Sequence, residues 1–195
     1  NRRVMEEFDE SRVPIVRDIA ADPSGGVVLG LLKGFEHFRN GKLEIVPTDG
    51  APNLAAEPDG SLWAATRSGL VHWKDGRTGI LTAKNGLPCD LIYSAIRDNH
   101  AKLWLYTKCG LIGIADSEIQ RWWRQPDVVI QAQQLDALDG AMPSSNTFRP
   151  VVTKSPDGRL WFANDSVVQM LDPNRLGQAR AAPPVYVEQV RADRK

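Results

Sequence analysis

The chain has 195 residues, enough for one full domain with a buried core. Its 24 Lys and Arg balance 24 Asp and Glu, which argues against a general nucleic-acid or anionic-membrane surface, and 42% apolar residues are too many for a disordered chain. The longest apolar run, 27–32, is about six residues where a membrane-spanning helix needs about 20.

From residue 15 onward, short apolar runs alternate with turns. The first unit, about 15–48, has a run near Ile19, the turn Asp22-Pro23-Ser24-Gly25, a second run through Val28, and a hairpin at Arg39-Asn40-Gly41-Lys42. The second unit, about 53–83, repeats the plan with Glu57-Pro58-Asp59-Gly60, Leu62-Trp63, Thr66, Gly69-Leu70 and a hairpin at Lys74-Asp75-Gly76-Arg77. The third unit, about 91–137, is read in more detail. An inner strand spans 91–97, a turn 98–101, and two further strands 103–107 and 111–115. Asp116 caps a short inserted helix over 117–124, and an outer strand spans 128–136. The fourth, about 148–173, carries Ser155-Pro156-Asp157-Gly158 and Leu160-Trp161.

Trp63, Trp104 and Trp161 are 41 and 57 residues apart, and Val28 holds the tryptophan's place 35 residues before Trp63. Periods of about 40–50 residues, cut every few positions by Gly, Pro, Asn or Asp, suit a four-stranded propeller blade rather than a helical repeat. The reading is an all-β chain: a β-propeller fragment of about four four-stranded antiparallel blades, with one short helix in the third. Adjacent residues of a strand face opposite ways, so Leu-Trp pairs mark strands covered on both faces. These tryptophans are core, not a ligand-stacking ladder.

The blades resemble the two-component regulator propeller repeat. The match lies in 57–70 and 98–111, in the connector Asn85-Gly86-Leu87-Pro88, and more loosely in 138–143. The resemblance implies a partial propeller over 1–173, followed over 174–195 by a linker and the first strand of a triple-tyrosine β-sandwich, opened by 185–190. It further implies a chain cut from a longer sensor, with a transmembrane helix and a histidine kinase beyond it. That places the segment outside the cytoplasm, as the periplasmic part of an inner-membrane protein. By the resemblance it does no chemistry itself, makes no membrane contact, binds a small-molecule or carbohydrate ligand, and relays occupancy through a parent dimer. A protein-interaction scaffold without a small ligand accounts for the same residues.

No Gly-rich phosphate loop, nucleophile elbow or metal motif is present, and no cofactor is expected. His37 and His72, each two residues before a hairpin turn, are expected to be exposed strand positions. Asp59 and Asp157 are expected to form Asx turns. At least one of Trp122 and Trp123 is expected to be exposed enough to mark a dimer contact. Connector loops on one propeller face are the usual place for ligands, and Arg67, Asn85, Tyr106, Lys108 and Arg149 approach that face. Cys89 and Cys109 fall at neighbouring strand ends there, as a disulfide or as two thiols.

Overall fold

The computed structural model describes residues 15–23, 25–39, 42–49, 53–143 and 151–176. The first sheet holds β1 (Asp18–Ala21), β2 (Val27–Leu31), β3 (Gly34–Arg39) and β4 (Lys42–Pro47). The second holds β5 (Asn53–Ala56), β6 (Leu62–Thr66), β7 (Gly69–Lys74) and β8 (Arg77–Leu81). The third holds β9 (Ile92–Arg97), β10 (Leu103–Thr107), β11 (Gly110–Ile114) and β12 (Ala132–Leu135), with helix α1 (Asp116–Arg124) between β11 and β12. The fourth holds β13 (Val152–Lys154), β14 (Leu160–Ala163) and β15 (Val168–Leu171).

Every pairing is antiparallel between consecutive strands. The innermost strands β1, β5, β9 and β13 follow one another as neighbours. The architecture is that of a four-blade β-propeller segment. Among the described residues the fourth blade has three strands rather than the expected four. Arg149 and the expected sandwich strand at 185–190 lie outside the described residues.

The Leu-Trp pairs work as their alternation requires. Leu62 packs with Val28, Phe35, Val46 and Trp73 between blades one and two. Its neighbour Trp63 packs on the other face, with Leu103, Leu105, Ile112 and Trp122. One blade later, Trp104 packs with Tyr106, Leu160 and Phe162 between blades three and four. Both β6 and β10 are buried along their whole length.

The Thr and Gly of the repeat also have structural duties. Thr66 Oγ1 donates to the Gly69 carbonyl (2.7 Å) and accepts from the Ser68 amide (3.2 Å). Thr107 does the same with Gly110 (2.9 Å) and Cys109 (3.0 Å). Gly110 has φ +105°, and a Cβ there would run into the Leu135 carbonyl oxygen, so the turn excludes larger residues. Asp59 and Asp157 form the expected Asx turns, accepting from the amides of Ser61 (3.0 Å) and Arg159 (3.2 Å).

The third blade departs from expectation at two places. Asp116 is the first residue of α1 rather than its cap, and its carboxylate pairs with Arg97 instead. The outer strand is shorter than 128–136. Asn85 Nδ2 donates to the carbonyls of Pro126 (2.7 Å) and Val128 (3.3 Å), which ties that stretch to the connector instead of to β11.

Candidate binding cleft between blades two and three

The strand order puts the connectors at one end of the blades. The turns 57–61, 74–77 and 97–101 lie at the opposite end, where each first strand passes to the second and each third to the fourth. At this second end a cleft of about 560 Å³ opens between blades two and three, walled on one side by α1. That volume is within the range of small-molecule sites.

The floor of the cleft is made by Trp63 and His72. They are cross-strand partners, and their rings stack at 3.9 Å with 13° between planes. Trp63 is 1% exposed and His72 6%. The expectation of an exposed His72 is therefore overturned, as it is for His37, also 6% exposed. The reason is tertiary. His72 faces Gly79 across the sheet, and a Cβ on Gly79 would stand 3.0 Å from ring atoms of both Trp122 and Trp123. Glycine lets α1 lay its tryptophans over the imidazole, and Trp123 meets it edge-on at 4.4 Å. Trp122 is buried, and Trp123 is half-buried with the Arg77 guanidinium 4.1 Å over its ring, so intrachain contacts take up both.

Burial pushes the His72 imidazole down to about 4. Asp59 opposes the shift, while Lys74, Arg97 and Arg77 add to it. The ring is neutral at pH 7. Neither His72 Nδ1 nor Trp63 Nε1 finds a hydrogen-bond partner among the described residues.

Paired charges surround this floor. Lys74 Nζ donates to Asp59 at 2.6 Å. Burial alone would raise the Asp59 carboxyl, but hydrogen bonds from Lys74 and Ser61 hold it well below the usual range. Arg97 joins both blades and the helix, reaching Glu57 (2.9 Å), Asp116 (2.9 Å) and the Ala101 carbonyl (2.6 Å). The Ser61 hydroxyl is committed to Asp59 at 2.6 Å. The arrangement is one of hydrogen-bonding groups around a neutral aromatic floor. Among the described residues no cluster of three His, Cys, Asp or Glu side chains is placed to hold a metal ion.

The residues expected on the connector face are differently disposed. Arg67 and Lys108 are exposed there. Asn85 is buried and spent on Pro126 and Val128. Tyr106 is fully buried, its ring 5.4 Å from Phe162, and its hydroxyl accepts from Gln169 Nε2 at 3.2 Å. Asn85 and Tyr106 are thus packed within the blades rather than presented at an open mouth. Cys89 and Cys109 are brought together with Cα atoms 6.3 Å apart, a span that suits a disulfide.

The residues expected from the sequence lie on the connector face, and this cleft opens at the opposite end of the blades. The missed signal is a departure within the repeat. Glu57, Ser61 and His72 stand where the third blade has Asp98, Lys102 and Gly113.

No protein-family model matches the chain, and no curated protein matches it. Among solved structures, the chain is similar over its whole length to 27% of a domain named as the extracellular domain of the hybrid two component system BT3049 from B. thetaiotaomicron, with 20% identity and a TM-score of 0.72. It also aligns, over 80% of its length, with 56% of the virginiamycin B lyase from Staphylococcus aureus, at 14% identity and a TM-score of 0.50. At these identities the likeness establishes the propeller fold. The chain spans about a quarter of the first of these domains.

Proposed function

We propose that this chain is part of the extracytoplasmic sensing propeller of a two-component system, binding a small-molecule or carbohydrate ligand and relaying its presence to an output domain in a dimeric parent. The observation that carries the reading is the repeat itself, with its Asp-Gly, Leu-Trp, Thr and Gly-Leu steps in register and its Asn-Gly-Leu-Pro connector. The similarity to a domain named as the extracellular part of a hybrid two-component system agrees with it. The segment acts as a binding module, and catalysis belongs to the parent's kinase. The fold alone would not decide this, since a lyase shares it. A Cys89–Cys109 disulfide is part of the proposal and suits an oxidising compartment.

A second reading, a protein-interaction scaffold, is favoured by one observation. Large apolar side chains stand exposed on both outer blades, with Ile19 and Ile45 on the first and Val168 on the fourth each more than 60% exposed. The source open reading frame separates the two. Further repeats upstream, then a sandwich, one apolar stretch and a kinase downstream, are the expected result. A frame confined to these four blades would overturn the sensor reading and leave the scaffold.

A further inference from the structure

We propose that the cleft between blades two and three is a binding site for a small uncharged ligand carrying several hydroxyl or carbonyl oxygens. The inference deepens the sensing reading, and rests on it only for what binding would signal.

The four blades share a polar position six residues before the tryptophan, and its use differs from blade to blade. In blade three, Asp98 Oδ2 accepts from Trp104 Nε1 at 2.9 Å. In blade four, Ser155 Oγ accepts from Trp161 Nε1 at 3.0 Å. In blade one, where valine replaces tryptophan, Asp22 Oδ2 is hydrogen-bonded to His37 Nε2 at 2.7 Å. In blade two the equivalent Glu57 is turned to Arg97, and Trp63 Nε1 and His72 Nδ1 are left without a partner among the described residues. Blade three also closes its own surface. Lys102 lies over the Trp104 ring at 4.8 Å, and the short Ser61 at the matching position of blade two leaves the cleft open.

Buried polar groups are paired in most proteins, and an exception calls for a cause. Among the described residues five buried side-chain atoms have no partner, on Glu36, Trp63, His72, Ser94 and Trp122, and two of these side chains, Trp63 and His72, line one cleft. Neither atom is open to the cleft as it stands, so an acceptor oxygen that satisfies the indole N–H must first shift a covering side chain. A hydroxyl can donate to or accept from His72 Nδ1, which takes either role with the tautomer.

The rim decides the charge of the ligand. Four carboxylates and three cations line it; five of the seven are matched in the Asp59–Lys74 pair and the Glu57–Arg97–Asp116 triad, Arg77 lies over the Trp123 ring, and Asp75 has no ion-pair partner among the described residues. A charged ligand drawn to the part-buried triad would have to break it and strand a charge, and the near balance of the other groups gives neither sign a strong attraction. A neutral ligand with many oxygens can donate to the carboxylates and accept from the cations with every pair intact.

The test uses the full 195-residue chain labelled with nitrogen-15, reading the indole N–H signals while myo-inositol or D-glucose is added. Sodium phosphate and acetate serve as charged comparators. The expected result is a saturable shift of the Trp63 signal with a neutral polyol and an unmoved Trp104 signal. Ser61→Lys, which imports the blade-three cover, should weaken binding at least about tenfold. His72→Phe, which keeps the stacked ring and deletes Nδ1, should weaken it as well. The Trp104 signal reports that each variant is folded. No saturable shift with either polyol up to about 0.1 M, far above useful affinities, overturns the site. A response to phosphate or acetate alone overturns the ligand class, and unchanged binding in both variants overturns the location. Each of these results is distinct from a failure of the sensor reading, which the open reading frame decides.

Discussion

Blades two and three are built on the same repeat and solve the same packing problem, yet one is closed and the other open. In blade three the tryptophan's N–H is bound by Asp98, its ring is covered by Lys102, and its cross-strand partner is Gly113. A Cβ on Gly113 would stand 2.8 Å from the Trp104 ring, so the space there is full. In blade two the cross-strand partner is a histidine, and the lysine is a serine. The carboxylate is one methylene longer and belongs to an interblade ion pair. The framework residues Leu, Trp, Thr and Gly are the same in both. Three substitutions outside that framework convert a sealed blade into one with a polar-rimmed cleft. A repeat fold separates stability from specificity in this way, because its framework positions are used in every blade while the remaining positions are free to differ.

The largest difference should appear on acidification. His72 has its imidazole pushed down to about 4, against an ordinary value of 6.5. Between those values the unfolded chain takes up a proton that the folded chain refuses. Stability is therefore full above pH 6.5 and declines as the pH falls toward 4, by about 3 kcal/mol from this group. Asp59, held below its usual range, contributes in the same direction but further into acid. His72→Phe should remove the part of the slope between pH 6.5 and 4. Urea unfolding at pH 7 and pH 4.5, for the native chain and the variant, measures it. Equal losses in both would mean that the imidazole is protonated in the folded state and that the blade-two floor is wetter than its burial implies.

A smaller difference should separate two otherwise identical substitutions. Trp→Phe removes the same atoms from blade two as from blade three. At Trp104 it also strands a buried carboxylate, at a cost of about 1–3 kcal/mol beyond the loss of ring volume. At Trp63 no partner is stranded, and the unpaired N–H disappears. Trp104→Phe should therefore cost about 1–3 kcal/mol more than Trp63→Phe in urea unfolding at pH 7. Equal costs would erase the distinction between the two blades at this position.

The framework was legible in the sequence because it depends on local rules. Leu62-Trp63 and Leu103-Trp104 alternate across a strand, and Thr66 and Thr107 bind a turn within three residues. The site was not legible because it depends on what arrives from elsewhere. Two residues before a hairpin turn, His72 belongs on a solvent-facing strand by every local criterion, and α1 of the next blade buries it. Tyr106 stands near a strand end facing the connectors, and blade four covers it with Phe162 and Gln169. Asn85 belongs to a loop motif that suggests a ligand contact, and Pro126 and Val128 consume its amide. In each case the burying group comes from a distant part of the chain. Only an alignment of the blades against one another, position by position, marks Glu57, Ser61 and His72 as unusual.

The same alignment yields the smallest effect. Gly60 and Gly158 occupy the left-handed turn before the Leu-Trp pair, with φ +79° and +85°. Blade three has Ala101 there, at φ +62°. A side chain in this region costs about 1–2 kcal/mol, offset in part by the greater freedom glycine has when unfolded. Ala101→Gly should therefore stabilise the chain by about 0.5–1 kcal/mol, and Gly60→Ala should destabilise it by a similar amount. Thermal or urea unfolding of both variants checks the pair. The two changes exchange the turn residues of the compared blades, so opposite signs are required if backbone conformation alone sets the energies. Ala101 also lines the cleft, and Arg97 donates to its carbonyl oxygen. If Ala101→Gly destabilised the chain, the alanine would be kept for what its methyl group packs against, and the cleft wall rather than the turn would set the residue at that position.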